Sequence, residues 1–383
     1  MEQTLTIGMA HHNDYHGAYF SIQDIRKELI FNQRFDLLQK IEFLVVENDP
    51  GSRHAQKLKD LENKIHNLRI VDFGERGGTS ATRNKIVEES KTSFVLIMDC
   101  HILLCPVIKT LDKLFTFLEY NSKSDDLYSG PLVHEGLQAF STHFNDHWGA
   151  GMWGQWSSAW QCVCESHNFA VQNKNKQAVF ASLETQETID KCVYCDREFP
   201  KDLAFGSHGR ALEGMGYSKI GFNDSEPPFP IFAQGLGLFL TRKISWLKFN
   251  EHARGFGGEE CYIHEKYRAA GRKCINLPFL RWLHRFGRPD GVPYELNTSN
   301  KVRNYILEFL ELGMSLQPIQ EHFVDNGLSK EEFDEIVNEC KSIYQEDSTI
   351  DPEVLREIES LRLKLKQLTK SSCCKNKKRT NNN

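Results

Sequence analysis

The chain has no uninterrupted apolar run of the ~20 residues that a bilayer crossing needs, so no membrane-spanning helix is expected. No basic stretch, apolar core and small-residue cleavage site precede the first strand-like segment, so a secretory leader is not expected either. Positive charge is not in excess. Lys and Arg number 47 against 52 Asp and Glu, and a net charge of −5 offers no whole-protein field for holding nucleic acid or an anionic membrane. Two phosphate-binding signatures are missing: Gly-x-x-x-x-Gly-Lys-Ser/Thr is absent, and no Gly-x-Gly-x-x-Gly follows the first strand pattern. A disulfide framework is missing too. The eleven cysteines are an odd number and several lie inside strand and helix patterns, which points to a reducing, cytoplasmic compartment. There is no internal repeat.

What remains is a chain of 383 residues with globular composition, long enough for a large α/β unit with an elaboration. Short apolar, β-branched runs at 5–10, 41–47, 68–73 and 94–99 alternate with helical spacing such as Ile25, Leu29 and Ile30, the βαβ rhythm of a mostly parallel sheet flanked by helices. Ligands of such sheets bind beyond the carboxyl ends of the strands. Residues 1–119 therefore read as a first half-domain. Residues 120–230 are rich in Trp, Gly and His with weak periodicity, and read as an irregular insert. Residues 231–298 resume the sheet, with an apolar run at 235–240, a helix at 259–270 closed by Gly271 and a strand at 274–280. Helices follow over 299–345, an amphipathic helix over 346–370 and a disordered basic tail over 371–383. Val354, Ile358, Leu361, Leu365 and Leu368 give two heptads, which suit either packing on the same domain or a homodimer contact through 352–369.

Four segments carry chemistry. In the first, a buried strand ends in Asp99, and His101 two positions on points to the same side, so both could grip one cation; the plainer reading is an Asp capping a loop. An oxygen and a nitrogen donor with open positions suit Mn²⁺ or Mg²⁺. In the second, Gly77 and Gly78 precede Thr79 and Ser80, hydroxyls that could cap a helix whose amides face the cleft, with Arg83 one turn in; it reads as a diphosphate site or as an ordinary capped helix. In the third, Gly255-Phe256-Gly257-Gly258 leads into Glu259 and Glu260, which could serve as a base or sugar-binding carboxylates, or merely decorate a first helical turn. In the fourth, Trp282-Leu283-His284-Arg285-Phe286-Gly287-Arg288 combines an imidazole with guanidiniums, which suits a further metal ligand and a phosphate clamp; a His beside a Trp is otherwise often a core residue.

Two close cysteine pairs, Cys162-x-Cys164 and Cys192-x-x-Cys195, lie in the insert. They suit a tetrahedral structural Zn²⁺ that replaces a core the insert lacks; free buried thiols and a disulfide or redox pair are the alternatives.

Taken in order, the four segments resemble the GT-A glycosyltransferases over roughly residues 4–290, in particular family 2-like enzymes and the polypeptide N-acetylgalactosaminyltransferases. The run 279–289, with Gly291-Val292-Pro293-Tyr294 and Arg303-Asn304-Tyr305, is similar to a group of viral and bacterial family 2-like sequences, which would put the protein in the host cytoplasm if viral. The resemblance implies a GT-A, Rossmann-like sheet and metal-dependent transfer of a hexosyl group from a nucleotide sugar, UDP-linked, to a hydroxyl acceptor. It implies donor binding by Asp14, Glu47, Arg83, Asn84, Asp99 and Arg285, a Mn²⁺ or Mg²⁺ held by Asp99, His101 and His284, and catalysis by Glu260 or, less so, Glu259. Two departures leave stereochemistry open: Asp-x-His replaces the family 2 Asp-x-Asp, and Glu260 stands where an Asp or Asn is usual. A catalytically silent glycan- or nucleotide-binding module and a nucleotidyltransferase are the competing functions. The acceptor is open among glycan, lipid-linked sugar, protein hydroxyl and hydroxymethylated DNA base. The basic residues Lys370, Lys375, Lys377, Lys378 and Arg379 favour the last, and the net charge disfavours it.

Overall fold

A computed structural model describes residues 3–74, 77–104, 109–137, 139–287, 291–292 and 294–347. The heptad segment 352–369, the tail, Glu75, Arg76, Arg288, Pro289 and Pro293 lie outside the described residues. The chain divides into two compact units, Met1–Phe333 and Asp334–Asn383; in the second, residues 334–347 are helical. Among the described residues no helix is long and apolar enough to cross a membrane.

The first unit begins with the expected alternation. Strands β1 (Leu5–His11), β2 (Ile41–Glu47), β3 (Leu68–Asp72) and β4 (Phe94–Asp99) pair in parallel in the order β4-β1-β2-β3. The apolar runs of β1, β2 and β4 are buried because helices cover the sheet, while the edge strand β3 is half-buried beyond Leu68. Helix α1 (Tyr15–Phe31) starts where the Gly17 amide donates to Asp14 Oδ1 (3.0 Å), and it buries Ala18, Ile22, Ile25 and Leu29. A short α2 (Phe35–Gln39) follows; α3 (Arg53–Glu62) is capped by Ser52 and buries Ala55, Leu58 and Leu61 at helical spacing. Helix α4 (Gly78–Glu89) buries Arg83, Ile86 and Val87. Parallel register places His11 beside Glu47 and Ala10 beside Asp99, so the polar residues that end these strands collect at one edge. A tight turn after β4 leads into β5 (Ile102–Leu104).

After α5 (Thr110–Tyr120) the chain re-enters the main sheet as β6 (Leu127–Ser129) and leaves it again as β7 (Leu132–Val133) and β8 (Phe140–Ser141). The stretch expected to be irregular is in fact rich in short strands. A hairpin of β9 (His143–Gly149) and β10 (Met152–Ser157) precedes a four-stranded sheet. That sheet contains β11 (Trp160–Gln161), β12 (Asn168–Lys174), β13 (Gln177–Ser182) and, after α6 (His208–Gly214), β14 (Ser218–Lys219). It also has a small aromatic core: Phe199 stacks on Phe180 (4.7 Å between centroids) and lies 4.7 Å from Phe169.

The main sheet is completed by β15 (Phe229–Pro230), β16 (Leu238–Arg242) and β17 (Cys274–Asn276), giving eight strands in the order β15-β17-β6-β16-β4-β1-β2-β3. β16 runs antiparallel to β4. Between β16 and β17 in sequence lies α7 (Glu259–Ala269), close to its expected bounds, whereas the expected strand 274–280 is a strand only over its first three residues. β18 (Trp282–His284) pairs antiparallel with β5, setting His284 opposite Ile102, one residue past His101. Helices α8 (Thr298–Leu312), capped by Asn297 and closed by Gly313 in the left-handed conformation, and α9 (Gln317–Asp325) follow.

Candidate active site

The site grows from the strand ends. Asp99 closes β4, the turn brings His101 round, and β18 delivers His284 from 183 residues away, because β18 is hydrogen-bonded to the strand that follows His101. His101 Nε2 and His284 Nε2 stand 3.0 Å apart, and Asp99 Oδ2 lies 3.9 and 3.7 Å from them. Cys100 turns away and donates to the Ala10 carbonyl, as strand alternation predicts. Donors that share a cation at ~2.1 Å are separated by about 3.0 Å at right angles and about 3.4 Å in a tetrahedron. The two imidazoles meet that condition and the carboxylate sits slightly outside it. Two imidazole nitrogens and one oxygen favour Mn²⁺ over Mg²⁺, whose preference is for oxygen.

A line of contacts orients this group. Glu47 is fully buried and His11 nearly so. The Asp14 amide donates to His11 Nε2 (3.2 Å), so the ring's proton is on Nδ1 and is given to Glu47 Oε2 at 2.6 Å. Asp14, fixed in this way and by capping α1, places Oδ2 3.5 Å from His101 Nδ1 and accepts a hydrogen bond from Arg285 (2.8 Å). A carboxylate behind an imidazole holds the other ring nitrogen free as a ligand. Burial alone would raise the Asp14 carboxyl, but His101, the Gly17 amide and Arg285 outweigh it and hold it below its ordinary range. His284 Nδ1 has no hydrogen-bond partner among the described residues; its ring is held by packing on Phe286, 4.1 Å between centroids.

Arg83 forms the opposite wall. Its guanidinium is buried and bridges Asp99 Oδ1 (3.0 Å) and Glu259 Oε1 (2.9 Å), with a further bond to the Leu236 carbonyl. Burial opposes ionisation of Asp99, yet Arg83, His284 and His101 keep it ionised well below the usual carboxylate range. Thr79 does not cap α4 as expected. Gly77 takes that place without a side-chain bond, and the Thr79 hydroxyl donates to Glu259 Oε1 (3.0 Å). The α4 start and the glycine loop touch directly: the Thr79 amide donates to the Gly255 carbonyl (3.0 Å), and a Cβ at Gly78, whose φ is +77°, would collide with that carbonyl. Gly258 has φ +114° and packs on Asn304 and Glu308. Asn304 secures the loop from α8, donating to the carbonyls of Arg254 and Gly257 (both 2.9 Å) and accepting from the Arg254 amide. This accounts for two members of the Arg303-Asn304-Tyr305 motif, since Arg303 bonds the His252 carbonyl (2.6 Å); the Tyr305 hydroxyl accepts from the Trp153 amide (2.9 Å).

Glu260 is half-buried beside Glu259, and burial and then that neighbour push its carboxyl up to about 7. Glu308, fully buried with neither oxygen partnered among the described residues, is driven well above its ordinary value by burial and then by Glu259 and Glu260.

A cleft of about 580 Å³ opens over these groups, lined by Asp14, Arg83, Asp99 and His101 of the expected residues. Asn84 is not on it: its side chain accepts from the Trp246 indole (3.0 Å) and the Phe249 amide and donates to the Phe249 carbonyl, locking a loop behind α4. Glu47, Glu259, Glu260, His284 and Arg285 stand behind the lining or beside it. Sequence reasoning missed Phe256 and Tyr294, whose rings lie 5.2 Å apart on the cleft, and Asn300. An aromatic set between glycines was the available signal for Phe256; Asn300 had none, since it arrives on α8. The four cysteines form a second group, in the insert, sharing no residue with the first.

No protein-family model and no curated protein matches the chain. Among solved structures, it is similar to GalNAc-T7 crystallised with UDP, GalNAc and Mn²⁺ at 11% identity and TM-score 0.45, over 81% of this chain and 48% of the other. It thus spans about half the length of that protein. It is also similar to S. aureus TarS 1-349 in complex with UDP-GlcNAc (12%, TM-score 0.43, 92% and 77% covered). A third is the mannosyltransferase PcManGT from Pyrobaculum calidifontis in complex with GDP-Man and Mn²⁺ (10%, TM-score 0.42, 95% and 81%).

Proposed function

We propose that the protein is a metal-dependent glycosyltransferase of the GT-A kind, transferring a hexosyl group from a nucleotide sugar, UDP-linked, to a hydroxyl acceptor. The observation that carries the reading is the convergence of Asp99 Oδ2, His101 Nε2 and His284 Nε2 within 4.8 Å of one another at a nucleotide-sized cleft. The three residues would hold Mn²⁺, or less favourably Mg²⁺. Bound there, the cation supplies positive charge where a departing diphosphate builds negative charge.

The chain's own residues divide the remaining work. Arg83, committed to two carboxylates, positions Asp99 rather than gripping phosphate. Arg285 is the more exposed guanidinium and the better phosphate clamp. The Phe256 and Tyr294 rings offer the flat apolar walls a nucleobase stacks on. In an inverting route Glu260, with a carboxyl poised near neutrality, takes the acceptor proton; in a retaining route it orients sugar and acceptor. Glu259 is held by Arg83 and Thr79 and serves the frame.

The test is donor cleavage by the full chain with UDP-sugars and added Mn²⁺. The reading expects nucleoside diphosphate release that disappears in Asp99→Ala. Release of pyrophosphate would make it a nucleotidyltransferase, and donor binding without turnover across acceptors would make it a silent binding module.

A further inference from the structure

The insert contains a second metal-ligand geometry unrelated to the cleft. Cys162 Sγ lies 3.8 Å from Cys195 Sγ and Cys164 Sγ 3.6 Å from Cys192 Sγ, with all four sulfurs within 4.8 Å of one another. A disulfide needs sulfurs about 2.05 Å apart, so these are not bonded pairs. Four thiolates at about 2.3 Å from a common centre stand about 3.8 Å apart at the corners of a tetrahedron. The observed spacing is that of the tetrahedron's edge.

The backbone supports the same conclusion, because both arms are built alike. In the first, the Cys162 amide donates to the His167 carbonyl (2.8 Å) and the Glu165 amide returns to the Cys162 carbonyl, with Glu165 at φ +60°. In the second, the Cys192 amide donates to the Arg197 carbonyl (2.9 Å) and the Asp196 amide returns to the Cys192 carbonyl, with Asp196 at φ +55°. Each arm is a tight knuckle that presents two sulfurs on one side, and the Tyr194 amide points at Cys192 Sγ (3.4 Å). Amide donors of this kind stabilise metal-bound thiolates.

We propose that Cys162, Cys164, Cys192 and Cys195 bind one structural Zn²⁺ that pins the 162–167 turn to the 192–197 turn. The metal adds to the insert's small aromatic core rather than replacing it. Its influence reaches the catalytic half through the frame. Val171 of β12 accepts from Asn145 of β9 (2.9 Å), β9 pairs with β10, and Trp153 of β10 accepts from Cys261 of α7 (3.2 Å).

The experiment is metal analysis of freshly purified, reduced full chain after dialysis against EDTA. We expect about one zinc per chain, retained in Asp99→Ala/His284→Ala and lost in Cys164→Ser/Cys195→Ser. Because the cysteine variant can misfold, the wild type is also titrated with an organomercurial and a chromogenic zinc chelator; zinc should be released in step with modification of four thiols. Zinc-free wild type, zinc that follows the Asp99 and His284 substitutions instead, or a mapped disulfide among the four cysteines overturns the proposal. None of these outcomes depends on sugar transfer.

Discussion

At the scale of single residues, the site is a balance between buried carboxylates and one buried guanidinium. Arg83 neutralises Asp99 and Glu259 together, and removing one partner of a buried charge pair costs about 3–5 kcal/mol. Arg83→Ala should therefore lower the unfolding free energy by several kcal/mol in denaturant melts as well as abolish turnover. A loss below ~1 kcal/mol would mean the charges are solvated. Glu260 gives a pH-dependent counterpart. Its carboxyl is raised from 4.5 to about 7, so the native state binds the proton more tightly than the unfolded chain. The associated stability is fully present below pH 4.5 and is lost as pH rises through 7. Glu260→Gln should abolish that loss, which amounts to ~1–2 kcal/mol after allowance for partial exposure, and thermal melts between pH 5 and 8 read it directly. In an inverting route the same substitution removes the rise of kcat with pH across neutrality.

At the scale of elements, the contact between α4 and the glycine loop sets the width of the cleft. Gly78 has both a left-handed φ and no room for a Cβ, so Gly78→Ala should push the 255–258 loop away, destabilise the fold by more than ~1 kcal/mol and raise KM for the donor. Asn304→Ala, which unties the same loop from α8, should raise KM with a smaller loss of stability. The elements themselves were unevenly legible. β1 to β4 could be read closely because each is a short run rich in apolar residues, buried almost throughout in β1, β2 and β4 and half-buried in the edge strand β3. The insert could not: β11 and β14 are two residues each, too short to show a period, and 56 residues of chain lie between them. Asp99 and His101 were readable as neighbours because period-2 alternation at a strand end sets them on one side; His284 was expected beside them from its segment and the resemblance, and the fold brings it to 3.0 Å from His101. Glu47 and Asn84 were readable as polar residues near the site but not in their partners, since only coordinates show Glu47 turned to His11 and Asn84 to Trp246.

For the whole molecule, binding one cation requires that two distant stretches of chain meet. The sheet does this by wrapping β18 back onto β5, so His284 reaches the cleft only if the insert and the second half of the sheet are folded. Chelation with EDTA should then remove donor cleavage while leaving the circular dichroism of the main sheet intact, and Mn²⁺ should restore activity better than Mg²⁺. Diffraction at the manganese edge, from crystals grown with Mn²⁺ and UDP, would locate the cation directly. An anomalous peak is expected among Asp99 Oδ2, His101 Nε2 and His284 Nε2, beside the diphosphate and missing from His284→Ala crystals. Ordered UDP in the cleft with no peak among those three atoms would show that Asp99, His101 and His284 do not hold the cation.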